Sequence, residues 1–144
     1  MDIELLGEDD YLSNATDAKK RGISAAKAVG FSEAWKQFNL QKQAYLQNAN
    51  KCGFTASQVL ALGGTVHEQL ADVLRREGKH KQALIDIVYW VATSSRVKKS
   101  HDKKLAVYFN RAKLSGKKLS DVIQFISELN NKIDYRRIQE YVLY

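Results

Sequence analysis

The sequence predicts an all-α protein, a single-domain irregular bundle of about six or seven helices, and three observations carry that prediction. Apolar residues recur at spacings of three and four along nearly the whole chain, with no sustained alternation of the kind a half-buried strand needs. There is no proline in 144 residues, where typical usage of ~5% would supply about seven, so nothing locks φ or removes a helical donor. The punctuation is instead Gly, Ser, Thr and Asp at places where helices start and stop. With 44% apolar residues, a chain of this length can bury a core without metal or disulfide staples.

Taken in order, residues 1–12 form an acidic lead with Asp2, Glu4, Glu8, Asp9 and Asp10 and no base. A single helical domain is expected over 13–144. Its first helix runs from about Ser13 to Val29, with Ala15, Ala18, Gly22, Ala25, Ala26 and Val29 as a face of small residues that another helix can approach closely. Gly30 ends it, and Ser32 caps the next with Glu33 in its first turn. In that second helix, about 33–51, Trp35, Phe38, Lys42, Tyr45, Ala49 and Cys52 keep to one seam. A polar residue at one seam position is a device that fixes register between paired helices. Trp35, Phe38, Lys42 and Tyr45 are therefore the candidate surface for a helical partner, from another protein or from a second copy of the chain. The alternative is a core helix whose lysine extends outward.

Thr55 is placed to cap a short helix through Leu62, with Phe54 stapled onto Val59, and Gly63-Gly64 breaks that helix. Thr65 and Glu68 then match a capping box at the head of a helix that stops at Gly78. Residues 80–95 read as the most buried helix. Leu84, Ile87, Val88 and Val91 make one stripe, and Ile85, Tyr89, Trp90 and Ala92 cover most of the rest. After a basic loop over 95–101, helix 102–114 sets Leu105, Tyr108, Phe109 and Ala112 against Lys103, Lys104, Asn110, Arg111 and Lys113. Ser120 caps helix 121–130, whose face is Val122, Phe125, Ile126 and Leu129. Asp134 caps a last helix carrying Ile138, Tyr141 and Val142.

Two helical hairpins follow from this order, over 65–95 and 102–130. They echo one another weakly: Leu70-Ala71 with Arg76 and Gly78-Lys79 has a counterpart in Leu105-Ala106 with Arg111 and Gly116-Lys117. Some of these residues sit near the small and apolar positions of a tetratricopeptide repeat. Two imperfect copies fall below the roughly three that such repeats need, however. Residues 56–77 also offer a helix-turn-helix outline, but Thr65 occupies the usual glycine position. The second helix would also turn Glu68, Gln69 and Asp72 toward DNA along with Arg75 and Arg76.

Catalytic and metal signatures are absent from the sequence. His67, His80 and His101 fit no ligand spacing, Cys52 has no base beside it, and neither phosphate-loop pattern occurs. Asp86 is the one acid in the apolar helix, on a polar strip with Gln82, Tyr89 and Thr93. Solvent contact or a hydrogen bond to a basic neighbour accounts for it better than catalysis does. A non-enzymatic protein with no cofactor and no metal is expected. One cysteine excludes an internal disulfide and points to a reducing compartment. The acidic N-terminus is unlike a signal peptide, and the longest apolar run, 87–92, is far short of the ~20 residues that span a bilayer. A soluble cytoplasmic protein without a membrane span is expected; helix 102–114 has the asymmetry to lie on an anionic membrane, but its apolar face is needed for the core.

The charge distribution is the main functional signal. Between Arg75 and Lys118 lie thirteen bases against three acids, Glu77, Asp86 and Asp102. The chain as a whole carries +7; without its first ten residues, twenty-three bases face eleven acids, a net +12. A one-signed field of this kind attracts polyanions. The candidate nucleic-acid-binding residues are Arg75, Arg76, Lys79 and Lys81 around the Gly78 turn and Arg96, Lys98, Lys99, Lys103 and Lys104 in the loop and following helix. Arg111 and Lys113 continue that face, and Lys117 and Lys118 lie at the Gly116 turn. Ser95 and Ser100 add hydroxyl donors, and if the hairpins stack, the two turns would form one basic rim. The expected function is a regulatory or accessory protein that binds DNA or RNA through this rim. The alternative is a protein–protein adaptor acting through helix 33–51 or by docking its basic surface on an acidic partner. A third expectation is that the acidic residues 1–10 compete for the rim from within the chain.

Overall fold

The helical spacing of the sequence is realised as seven helices in a computed structural model, which describes residues 11–94, 99–129 and 132–144. They are α1 (Tyr11–Lys27), α2 (Phe31–Cys52), α3 (Ala56–Arg76), α4 (His80–Thr93), α5 (Lys99–Ala112), α6 (Leu119–Leu129) and α7 (Tyr135–Leu143). No strand occurs among the described residues, so the all-α class expected from the spacing is observed. The chain divides into two compact units, one ending at Val66 and the other beginning at His67.

In the first unit α1 packs on α2 through its small residues. Ala15, Ala18, Gly22 and Ala26 are buried, and the Phe38 ring occupies the space in front of Gly22. The turn between the helices departs from expectation in one respect. Val29, not Gly30, takes the left-handed conformation (φ 61°), and Gly30 becomes the residue that precedes α2. The Val29 amide bonds the Ala26 carbonyl and the Gly30 amide the Ala25 carbonyl, the paired closure that usually places glycine where Val29 stands. Ser32 lies inside α2 and caps nothing. The buried stripe of α2 is Ala34, Gln37, Phe38, Gln41, Ala44 and Ala49, turned by about one residue from the expected seam.

The largest correction concerns α3. Gly63 and Gly64 do not break it: both are buried inside one continuous helix from Ala56 to Arg76. The helix starts at a capping box ten residues before the expected one. Gln58 N donates to Thr55 Oγ1 at 3.3 Å, and Thr55 N donates to Gln58 Oε1 at 2.9 Å. Thr65 instead donates back to the Leu62 carbonyl at 2.7 Å, as a mid-helix threonine does. With no turn at 63–64, the helix-turn-helix outline is excluded.

In the second unit α4 is the hub, as its all-round apolarity implies. Every residue from Ala83 to Val91 is buried, and α5, α6 and α7 all pack on it. Leu105, Tyr108 and Ala112 of α5, Val122 and Leu129 of α6 and Ile138 and Val142 of α7 complete this core with Ala71 and Leu74 of α3. The ends are set locally. Gly78 (φ 80°) closes α3, and Asp134 accepts from the Arg136 amide at the head of α7, as expected. At the head of α6 the cap is the Asp121 carboxylate on the Lys118 amide, 2.8 Å, and Ser120 is not used.

Candidate nucleic-acid interface

Of the thirteen candidate bases, four converge. Arg75 from the end of α3 and Lys103, Lys104 and Arg111 from the outer face of α5 line one open groove of about 630 Å³, together with Asp72, Ser100, Val107 and Tyr108. The spacing explains the convergence: Ser100, Lys103, Lys104, Val107 and Arg111 recur every three or four residues, so helical geometry puts them on one stripe. Lys103 and Arg111 lie two turns apart, ~12 Å along the axis. Both are exposed, and no acid pairs with either among the described residues.

The other two cations in the groove are engaged. Arg75 donates to Asp72 at 2.6 Å, and Arg76 meets the other oxygen of the same carboxylate at 3.1 Å. The Asp72 hydrogen bond, opposed by burial, holds the Arg75 pKa above its ordinary value. Lys104 bonds Glu68 at 2.5 Å, with its ammonium 5.6 Å from the centre of the Trp90 ring. Tyr108 forms the inner wall. Burial first, then the Asp72 charge, pushes its hydroxyl pKa up, against the pull of Arg75 and Lys104.

The remaining bases are not gathered there. Lys79 pairs with Glu77 at 3.1 Å, while Lys81 on α4, Lys113 in the turn after α5 and Lys118 just before α6 are exposed and do not line the groove. Lys117 is held at the C-terminal helix, donating to the Tyr141 carbonyl with its ammonium 4.4 Å from the centre of that ring. Arg96 and Lys98, the side chain of Lys99 and the acidic residues 1–10 lie outside the described residues. The described cations therefore meet along α5 and the end of α3, and the Gly116 turn contributes none to the groove.

The candidate partner seam fares unevenly. Phe38 is buried against Gly22 and so is not presented to a partner, while Lys42 is half-buried with its Cε near Gly63. Tyr45 is half-buried and accepts from Gln41 at 3.2 Å. Trp35 (37% exposed) and Leu40 (40%) are the apolar groups that α2 offers outward.

One polar constellation was not anticipated. Asp86 is fully buried, not solvated, and its Oδ1 lies 2.7 Å from His67 Nδ1. Tyr89 and Tyr135 enclose the imidazole, their ring centres 4.4 and 5.4 Å from it. Burial and then the Asp86 carboxylate raise the Tyr135 pKa, and burial followed by the Asp134 charge raises that of Tyr89. The basic neighbour that Asp86 required is thus a histidine on the preceding helix. The available signal was that His67 and Asp86 each interrupt an otherwise apolar face. Among the described residues no three His, Cys, Asp or Glu side chains are placed to hold a metal ion, and no helix is long and apolar enough to cross a membrane.

No protein-family model, no curated protein and no solved structure matches this chain.

Proposed function

We propose that this protein binds DNA or RNA through the phosphate backbone, using the groove between the end of α3 and the outer face of α5. The observation that carries the reading is the convergence of Arg75, Lys103, Lys104 and Arg111 on one open surface, with Lys103 and Arg111 unopposed by any acid among the described residues. Phosphate contacts of this type give affinity and orientation without reading sequence. The aromatic rings beside the cations support backbone binding over base stacking. Trp90 sits beneath Lys104 and Tyr108 is buried, so neither offers an open face to a base.

Fluorescence anisotropy against a short mixed-sequence duplex, a single strand and an RNA, from low to physiological salt, tests the reading. Two open cations predict a log–log salt slope of about −2 on duplex DNA. Lys103→Glu combined with Arg111→Glu abolishes binding while helical circular dichroism is unchanged. Binding that ignores both the salt and the double variant would refute this function. The competing adaptor reading rests on exposed Trp35 and Leu40. It predicts a partner whose capture is insensitive to salt and lost in Trp35→Ala.

A further inference from the structure

Two acids that pair with cations of the groove act against the function just proposed. Asp72 lines the groove and neutralises Arg75, and Glu68 of α3 reaches across to neutralise Lys104 on α5. We infer that Asp72 and Glu68 are built-in competitors of the phosphate backbone. They hold half of the groove's cations in reserve and so set how tightly, and at what salt, a nucleic acid is retained. This rests on the nucleic-acid reading and adds a regulatory element to it.

The geometry supports competition over a purely structural role. Both carboxylates are partly exposed at 36%, on the surface where a phosphate would arrive, and neither is sealed in the core. Ion pairs this open contribute little to stability, so they do not explain themselves as fold-holding contacts. They do have a direct effect on ligand binding. A phosphate approaching Arg75 or Lys104 must displace a carboxylate already at hydrogen-bond distance and also approach a like charge. Lys103 and Arg111 impose neither cost. The groove therefore has two tiers, an open pair that makes first contact and a guarded pair recruited only when the carboxylate is out-competed or neutralised.

The experiment uses the full chain with Asp72→Asn, Glu68→Gln and the double variant, titrated with the same labelled duplex across the salt series. The variants are isosteric, and circular dichroism checks the fold. Glu128→Gln, an exposed acid on α6, supplies the same change in net charge away from the groove. Each released cation steepens the salt slope by about 0.9, so the double variant moves from about −2 toward −4 and binds more tightly. Glu128→Gln leaves the slope where it was.

If Asp72→Asn and Glu68→Gln leave the slope unmoved while Lys103→Glu with Arg111→Glu abolishes binding, the competitor role is wrong and the nucleic-acid reading stands. An equal effect from Glu128→Gln assigns the change to net charge and also overturns the inference. Failure of the native chain and every variant to bind overturns both. Displacement of the duplex by poly-glutamate at matched charge would assign the groove to an acidic protein instead.

Discussion

Val29 is the residue most at odds with its conformation. A β-branched side chain at φ 61° suffers a clash that costs ~1–2 kcal/mol in the left-handed region. At 69% exposure its isopropyl group recovers little by burial. Val29→Gly should therefore stabilise the first unit by up to about 1 kcal/mol, the gain being trimmed by the extra freedom glycine has when unfolded, and a urea midpoint reads this directly. The His67–Asp86 contact makes the opposite case. His67→Phe leaves a fully buried carboxylate without the ring that bonds it, and destabilisation of about 3 kcal/mol is expected. Adding Asp86→Leu should restore much of that loss. A double variant no better than the single one would show that the imidazole matters for packing and not for the carboxylate.

At the scale of the element, two glycines that look alike in sequence do different work. A Cβ on Gly22 would meet three Phe38 ring atoms at 2.5–2.9 Å, so Gly22→Ala must push the ring aside and should destabilise by ~1–3 kcal/mol. A Cβ on Gly63 would meet Lys42 Cε at 3.5 Å, an ordinary contact. Gly63→Ala should then stabilise α3 by ~0.5–1 kcal/mol, and parallel thermal melts separate the two signs. The same pair marks how far the sequence could be read. Helix identity was legible from apolar spacing, and α4 as the hub from apolar residues that cover all but a narrow polar strip. Local punctuation was less reliable. A Gly-Gly pair costs only ~2 kcal/mol in a helix, and the surroundings that bury both glycines outweigh it. The α2 seam was misplaced because its aromatics mark a face only loosely, whereas the small residues Ala34 and Ala44 set the close approach. The groove was legible as charge, but not as geometry. Nothing in the sequence alone says that Asp72 takes Arg75 or that Glu68, thirty-six positions away, takes Lys104.

At the scale of the whole molecule, the tyrosines dictate a response to alkali. Burial raises the pKa of Tyr135, Tyr89 and Tyr108 above the ordinary value near 10, and in each case a neighbouring acid adds to it. For a group that is neutral when protonated and raised in the folded state, the contribution is intact below the unfolded pKa. It falls as pH climbs past that value, where the unfolded chain gives up protons that the folded chain retains. Stability should thus be flat with respect to these groups up to about pH 10 and decline above it. In Tyr135→Phe the decline should be shallower, as read from urea midpoints across the alkaline range.

The last helix has a consequence for the order in which the protein can be made. Ile138 and Val142 are sealed against α4, the Tyr141 ring stacks on Phe125 with centres 3.9 Å apart, and its carbonyl holds Lys117. On a translating ribosome the α1–α2 pair can close while the remainder is still being synthesised. The hub helix, by contrast, leaves the exit tunnel with one of its walls not yet made. Its apolar surface stays open until the residues around 142 emerge, and that interval is when a chaperone would find something to hold.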